Sequence, residues 1–268
     1  MKRVYIHCGF HKTATTYLQR LLRDNQAALA PHLHVINRVT LETEEVRLAA
    51  MAFAQGDTSV TEADLLAGFR GFAEAAAAHP AIPTLISDEE FFGPHPGRDA
   101  QHRIYPHAPR IAQLMLEAFA GIETEIVLYR RNNEAWIRSV YAQAVKQNRY
   151  AGSYDQLMGA IGQPVRLEDV CDRVAEAVGS EHLTVFELEG DRAHEFGTGG
   201  PLFDHIGLDP AVMAALKKQP ARNQSLSPWA LRVMRVANRL PLSDARLRSV
   251  QHGLYGLQAR VDRLGRRT

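Results

Sequence analysis

The fold is decided by a stretch near the amino terminus, residues 4 to 22, which reads VYIHCGFHKTATTYLQRLL. Val4–Cys8 is a short apolar run typical of a buried β-strand, and it ends at Gly9. The residues from Thr13 to Ala28 carry leucines at helical spacing, which predicts a helix after a tight loop. The order of strand, loop and helix is the first unit of an α/β fold.

The rest of the chain continues this alternation of strands and helices. Further strand-like runs lie at Pro83–Ser87, Glu125–Tyr129 and Leu183–Phe186. Helical patterns are found at Thr43–Ala54, Glu62–Ala78, Ile111–Ala120, Asn133–Gln147 and Trp229–Arg239. The alternation predicts an α/β fold with a parallel sheet that is covered by helices on both faces. We expect one domain over residues 1–268, with a helical carboxyl-terminal portion from about residue 190 to residue 268.

Composition argues against several classes of protein. Lysine and arginine total 31 and aspartate and glutamate total 30, so no global field favours nucleic acid, and we expect no nucleic-acid partner. The two cysteines, Cys8 and Cys171, form no disulfide framework, which favours a reducing compartment. No apolar stretch reaches the length that a membrane span needs. We therefore expect a cytoplasmic protein with no membrane span.

The loop after the first strand has the composition of a phosphate cradle. Glycine permits a sharp turn, the start of a helix offers free N–H groups, and lysine adds a positive charge. The candidate binding residues are Gly9, His11, Lys12, Thr13, Ala14, Thr15 and Thr16. We expect the loop to close without positive φ at Ala14, since alanine disfavours the left-handed conformation. A threonine-rich helix start with a capping role is the alternative interpretation.

The order of residues in this loop carries a family resemblance. Lys12-Thr13-Ala14-Thr15-Thr16, followed by Tyr17-Leu18-Gln19, resembles the 5′-phosphosulfate-binding loop of the sulfotransferases that use 3′-phosphoadenylyl sulfate (PAPS), particularly the bacterial members. The resemblance implies a P-loop nucleotide-hydrolase-like sulfotransferase fold, PAPS as donor and 3′,5′-adenosine bisphosphate as product. It also implies that Lys12 is catalytic and acts at the oxygen that bridges sulfur and phosphorus. A Walker-type loop contains a Gly-Lys pair that this segment lacks.

A second anchor follows the strand-like run Glu125–Tyr129. Arg131 and Ser139 are eight residues apart across a strand end and a helix start, and a helix of eight residues rises roughly 12 Å. An arginine and a serine in this arrangement resemble the family's grip on the 3′-phosphate of PAPS, whereas Arg130 is one residue out of register. The alternatives are that the two arginines cap the sheet edge and that Ser139 faces solvent.

An acidic segment after the run Pro83–Ser87 supplies a candidate catalytic base. Ile86-Ser87-Asp88-Glu89-Glu90-Phe91 resembles the Ser-x-Glu segment of bacterial and Golgi-type sulfotransferases, and the register selects Glu89. A carboxylate with a raised pKa can accept the proton of an acceptor hydroxyl. The alternatives are that these acids cap a turn or pair with Lys12 or a nearby arginine, and that a loop histidine is the base: His95, His102 or His107.

The carboxyl-terminal third of the chain contains a weaker resemblance to the same family. Arg222 and Ser225, in an Asn-x-Ser segment, resemble a part of bacterial family members that returns to the nucleotide phosphates, although the same residues describe an ordinary helix entry. Arginines interleaved with leucines near the carboxyl terminus predict an amphipathic helix with a solvated basic face. His7 and His11 lack a third ligand at suitable spacing, so we expect no metal.

These observations predict a sulfotransferase that moves a sulfo group from PAPS to a hydroxyl or amine of a small-molecule or carbohydrate acceptor. The acceptor pocket is expected in the loops Phe91–Pro109 and Asn148–Pro164, whose shape the sequence does not give. Two alternatives are a Mg-dependent P-loop nucleotide phosphotransferase and a non-catalytic nucleotide-binding module. The oligomeric state is left open.

Overall fold

The computed structural model describes residues 3–96, 104–161, 166–219 and 225–265. Five β-strands form one sheet, and their bounds are β1 Val4–His7, β2 His34–Asn37, β3 Thr84–Ser87, β4 Thr124–Arg130 and β5 Leu183–Glu187. The α/β class predicted from the alternation of strands and helices is confirmed.

Thirteen α-helices lie within the described residues, together with short 3₁₀ helices at Arg38–Thr40 and Ser180–His182. The helices, in chain order, are α1 Thr15–Asp24, α2 Gln26–Leu29, α3 Glu44–Ala54, α4 Glu62–Ala77, α5 Ala108–Ala118, α6 Asn133–Gln147, α7 Tyr154–Ile161, α8 Leu167–Val178, α9 Leu188–Ala193, α10 Gly200–Ile206, α11 Pro210–Ala215, α12 Pro228–Arg239 and α13 Asp244–Gly265.

All neighbouring strands are parallel, in the order β2-β3-β1-β4-β5. His7 at the end of β1 lies in register with Ser87 of β3 and with Val127 of β4. The chain leaves β1 toward one edge of the sheet and leaves β4 toward the other. This reversal marks a topological switch point, where ligands of open α/β sheets bind beyond the carboxyl ends of the strands.

The sheet is buried on both faces because side chains of a strand point alternately to its two sides. One face packs against leucines of α1 and residues of α10, and its strand residues are Tyr5, Val35, Leu85, Val127 and Tyr129. The alternate residues are buried as well, and they include Val4, Ile6, Ile36, Ile86, Ile126 and Leu128. This pattern explains why the strands read as continuous apolar runs in the sequence.

Strand β2 is the element that the sequence prediction missed. It has four residues, lies at the edge of the sheet beside β3, and begins and ends with the polar residues His34 and Asn37. A strand this short and this polar gives no clear period-2 signal. Its position is decided by pairing with β3, where Val35 lies opposite Leu85.

Two further segments differ in kind from the prediction. The helix expected from Thr13 to Ala28 is two helices, because Asn25 leaves the helical conformation and its Nδ2 donates to the Leu21 and Lys217 carbonyls. The segment 148–164, expected to be a loop, contains α7. Helix α7 buries Leu157 and Met158, so packing stabilises a helix whose pattern is short.

The chain divides into two compact units. The first comprises the described residues of Met1–His95, Arg103–Asn133 and Val165–Pro220, and it contains the whole sheet. The second comprises the described residues of Pro96–His102, Glu134–Pro164 and Ala221–Thr268, and it is helical. Of the helices in the described residues, none is both long and apolar enough to cross a bilayer.

Candidate functional site

The loop between β1 and α1 begins as a continuation of the sheet. The Cys8 amide donates to the Val127 carbonyl over 3.0 Å, and the Phe10 amide donates to the Tyr129 carbonyl over 3.2 Å. Between them, Gly9 has φ +67°, a conformation that side chains disfavour. An added Cβ at Gly9 would also lie 2.7 Å from the Glu89 Cβ. The glycine therefore serves both the turn and the close approach of the acidic segment.

Two non-glycine residues of this loop adopt a left-handed backbone. Lys12 has φ +68° and Ala14 has φ +66°, so the expectation that Ala14 avoids positive φ is wrong. The local preference of alanine is overridden because the loop is held on both sides of this position. Left-handed non-glycine residues are costly and tend to persist at functional sites.

This backbone leaves a row of amide donors at the start of α1. Within the part of the chain that the structure describes, the amides of Thr13, Ala14, Thr15 and Thr16 donate no hydrogen bond. The residue that precedes the helix is Ala14, which has no side-chain oxygen to cap these groups. Free amides beside the positive end of a helix dipole form a binding site for an anion.

Side chains of the loop hold its shape from within. The Thr13 hydroxyl donates to the Phe10 carbonyl, and Thr15 is buried against Gly9. His11 is 6% exposed, and its ring Nδ1 lies 2.8 Å from the Tyr105 hydroxyl, which also accepts from the His11 amide. His11 was predicted as a nucleotide ligand, and its contacts here are with other parts of the protein.

Arg131, the predicted 3′-phosphate ligand, lies beside the loop. Its Nη1 donates to the Lys12 carbonyl over 3.2 Å, so the end of β4 and the loop after β1 meet directly. The neighbouring Arg130 instead pairs with two acids, Glu187 and, over 3.9 Å, Glu168. The two arginines thus have different partners, and the one in the predicted register faces the loop.

The other predicted phosphate ligands lie in the second unit or outside the described residues. Ser139 is half-buried about two turns into α6, and Ser225 is exposed three residues before α12, where its carbonyl accepts from Gln258. Arg222 lies outside the described residues. That Ser139 and Ser225 reach the nucleotide stays a prediction.

Glu89, the predicted base, lies directly behind Gly9 at the end of β3. It is 6% exposed, and its two carboxyl oxygens accept from different donors. Oε1 accepts from Arg38 over 2.7 Å, and Oε2 accepts from Gln19 of α1. Pairing with a nearby arginine was the alternative interpretation of this acid, and the structure contains that pair. Its catalytic role stays a prediction.

The pKa values of the two acids that flank Glu89, Asp88 and Glu90, are shifted in opposite directions. Burial raises the pKa of Asp88 to about 7, against the hydrogen bond from the Thr43 hydroxyl. Burial acts in the same direction on Glu90, but the His11 hydrogen bond and the charge of Arg38 outweigh it and lower its pKa to about 2. Burial dominates at Asp88, whereas hydrogen bonds and positive charge dominate at Glu90, so the pKa values of the two carboxyl groups move in opposite directions.

Arg38, Arg47 and Gln19 belong to this site and were not identified from the sequence. Arg38 Nη2 lies 2.9 Å from Glu90 Oε2 in addition to its bond to Glu89, and Arg47 Nη1 lies 2.9 Å from the same Glu90 oxygen. Arg38 directly follows β2, so recognition of that strand would have placed it at the carboxyl edge of the sheet. Arg47 on α3 and Gln19 on α1 carried no comparable signal.

Of the loop histidines proposed as alternative bases, His95 lies nearer the loop. Its ring centroid is 5.2 Å from that of His11. His107 precedes α5 and packs against Phe53, with ring centroids 5.6 Å apart, and His102 lies outside the described residues. His95 is therefore the histidine that competes with Glu89 on position.

His7 is a buried histidine at the floor of the site. Its Nδ1 lies 2.9 Å from the Ser87 hydroxyl, and burial, against the charge of Glu89, lowers its pKa to about 4. The ring is therefore neutral at physiological pH. Among the described residues, no three His, Cys, Asp or Glu side chains are grouped as metal ligands.

The first prediction concerns the left-handed backbone at Ala14. We expect Ala14→Gly to raise the free energy of unfolding by about 0.5–1 kcal/mol. Relief of a left-handed alanine is worth about 1–2 kcal/mol, and the greater freedom of the unfolded glycine offsets part of it. Chemical denaturation of both proteins measures the difference.

The matched control is Ala49→Gly in the middle of α3, where the backbone is right-handed and the side chain is also half-buried. There the same substitution is expected to lower the free energy of unfolding by about 1 kcal/mol. A loss of similar size at both positions would contradict the conformation described for Ala14.

The second prediction concerns the proton on Asp88. The folded protein holds this proton up to about pH 7, whereas an unfolded aspartate releases it near the ordinary pKa of 3.8. The folded state binds more protons between these values, so the stabilising contribution of Asp88 falls as the pH rises from about 4 to about 7. Each tenfold change in proton affinity is worth about 1.4 kcal/mol, which makes the total a few kcal/mol.

The measurement is the free energy of unfolding of the protein and of Asp88→Asn over this pH range. We expect the difference between them to shift with rising pH in favour of the variant, which has no proton to lose. Groups that do not interact with Asp88 titrate alike in both proteins and cancel, whereas Glu89, whose charge acts on Asp88, also contributes to the difference. A difference that stays constant from pH 4.5 to pH 7.5 would refute the raised pKa.

The chain was compared with known proteins. No protein-family model matches it, and a search of the curated proteins gives no significant match.

Proposed function

We propose that the protein is a PAPS-dependent sulfotransferase. The observation that carries the proposal is the hydrogen bond from Arg131 to the Lys12 carbonyl, because it brings the two predicted phosphate anchors to the same edge of the sheet. PAPS carries phosphate groups on both sides of its ribose, so a protein that holds it needs two neighbouring anion sites. If Arg131 and Lys12 lay on opposite faces of the molecule, one PAPS molecule could not contact both of them.

The loop amides support one half of this site. Four N–H groups at the start of α1 suit the 5′-phosphate, and Lys12 lies in the same loop. Preorganised donors of this kind stabilise charge that develops on a leaving oxygen, which is often the largest single contribution to catalysis. The guanidinium of Arg131, with its planar fork of donors, suits the 3′-phosphate.

The proposed reaction is an in-line displacement at sulfur. An acceptor oxygen or amine forms a new bond to sulfur while the bond between sulfur and the bridging phosphate oxygen breaks, and the electron pair stays on that oxygen. Lys12 and the loop amides stabilise the resulting 3′,5′-adenosine bisphosphate. Glu89 is the proposed acceptor of the proton that the nucleophile loses, and the step uses no metal.

The third prediction tests the ligand. We expect 3′,5′-adenosine bisphosphate to raise the melting temperature without Mg²⁺, because binding to the folded state alone stabilises it. We also expect PAPS to donate its sulfo group in a screen of carbohydrate and small-metabolite hydroxyls and amines. A preference for ATP with Mg²⁺ would instead favour a nucleotide phosphotransferase. Binding of 3′,5′-adenosine bisphosphate with no transfer in a broad screen would favour a non-catalytic module.

The fourth prediction tests the 3′-phosphate site. Arg131→Ala should weaken binding of 3′,5′-adenosine bisphosphate about 10- to 100-fold and leave 5′-AMP nearly unchanged, since a hydrogen bond to a charged group contributes about 1.5–3 kcal/mol. Isothermal titration with both nucleotides measures the ratio. Arg130→Ala is the matched control, because that arginine pairs with Glu187 and Glu168, and it should leave the ratio unchanged. Equal losses for both nucleotides in Arg131→Ala would remove Arg131 from this role.

A further inference from the structure

Helix α12 exposes an apolar stripe to solvent. The four residues are Trp229, Val233, Val236 and Leu240, which follows the last helical residue, and their exposed fractions are 36%, 46%, 58% and 50%. At 3.6 residues per turn, these positions lie within an arc of roughly 60° and extend over about 16 Å of the helix axis. A contiguous exposed apolar patch with polar residues at its rim is characteristic of an interaction surface.

The stripe is separate from the face by which α12 packs into its own unit. The buried residues of the helix are Ala230, Met234, Ala237 and Asn238, and they lie roughly 115° away around the axis. Asn238 Nδ2 donates to the carbonyls of Val145 and Tyr150 over 2.8 and 3.0 Å. These two hydrogen bonds fix the rotation of the helix and keep the stripe turned outward.

Positive charge borders the stripe on one side. Arg232, Arg235 and Arg239 follow one another along the flank of the helix, and Arg232 and Arg239 are exposed. Helix α12 contains no acidic residue, and residues 225–265 contain seven arginines, two aspartates, and neither lysine nor glutamate. The near-neutral charge of the whole chain therefore conceals a strongly basic helical segment.

We propose that α12 attaches the protein to an anionic membrane surface. A helix with Trp and aliphatic residues on one face and arginines beside them lies in the interface plane, where the apolar face enters the headgroup boundary. Arg232 extends toward the lipid phosphates, and Arg235 and Arg239, which also donate to the Ala151 carbonyl over 3.4 and 3.2 Å, add positive charge beside the stripe. Trp229 stands at one end of the stripe, and tryptophan is one of the aromatic side chains that are enriched at this boundary.

A second copy of the chain suits this surface less well. In an antiparallel two-fold pairing of α12 the same patch meets itself, which brings the arginine flank of one copy close to that of the other. With no acid on α12, such a pairing has no charge to neutralise these arginines. An anionic lipid surface complements both the stripe and its flank, so lipid is the occupant that the charges favour.

The fifth prediction tests this attachment with the full chain and vesicles. We expect co-sedimentation with vesicles of phosphatidylglycerol and phosphatidylcholine, little with phosphatidylcholine alone, and a loss at high ionic strength. Trp229 reports directly, because the other tryptophan, Trp136, is 1% exposed and gives a constant background. The fluorescence emission of Trp229 should shift to shorter wavelength when anionic vesicles are added.

Substitutions at exposed positions of α12 separate the apolar contribution to vesicle affinity from the electrostatic contribution. Val236→Asp should reduce vesicle affinity at least tenfold and abolish the spectral shift, and Arg232→Glu should reduce affinity several-fold for anionic vesicles. Leu48→Asp on α3 is the matched control, because Leu48 is 54% exposed in the other unit, and it should bind as the unaltered protein does.

Three results would overturn the proposal: no co-sedimentation with anionic vesicles, equal binding by Val236→Asp and Leu48→Asp, or equal binding to both kinds of vesicle. Sedimentation velocity without lipid tests whether a second copy of the chain occupies the stripe instead. A dimer that Val236→Asp dissociates would assign the stripe to a second copy. Vesicle binding is independent of nucleotide binding, so failure of either proposal leaves the other standing.

Discussion

Parallel pairing of β1 between β3 and β4 is the constraint on which the rest of the site depends. Because the three strands run in one direction, their carboxyl ends and following loops meet at one edge. The amides of Cys8 and Phe10 extend the pairing with β4 into the loop itself, which brings Lys12 to Arg131. On the other side, the absence of a side chain at Gly9 admits Glu89. Residues far apart in sequence thereby form one site.

The backbone of the loop between β1 and α1 is strained. Lys12 and Ala14 both adopt left-handed conformations, and the bonds around them explain how such a backbone persists. Sheet pairing holds the loop at Phe10, the Tyr105 hydroxyl holds His11, and the packed helix α1 holds it at Thr15. The result is a set of amides that remain free of partners among the described residues, which is the arrangement an anion requires.

Charge is distributed unevenly in a chain whose total is close to zero. In the sheet-containing unit, Glu89 and Glu90 are matched by Arg38 and Arg47, so the acidic segment beside the loop is largely neutralised. In the helical unit, the arginines of α12 have no acid on their own helix. Composition therefore excludes a global field but leaves room for two local sites of different chemistry, one in each unit.

The sequence by itself determined the α/β class, four of the five strands and the position of the loop, because apolar runs, leucine spacing and Gly9 are local signals. The register of the family resemblance favoured Arg131 over Arg130 as a phosphate ligand, which stays a prediction. Only the tertiary structure revealed β2, the left-handed Ala14 and the partners of Glu89. An edge strand is defined by pairing with its neighbour, and a strained backbone is maintained by contacts on both sides of it. An ion pair such as that of Arg38 with Glu89 joins residues that meet only when the sheet is assembled.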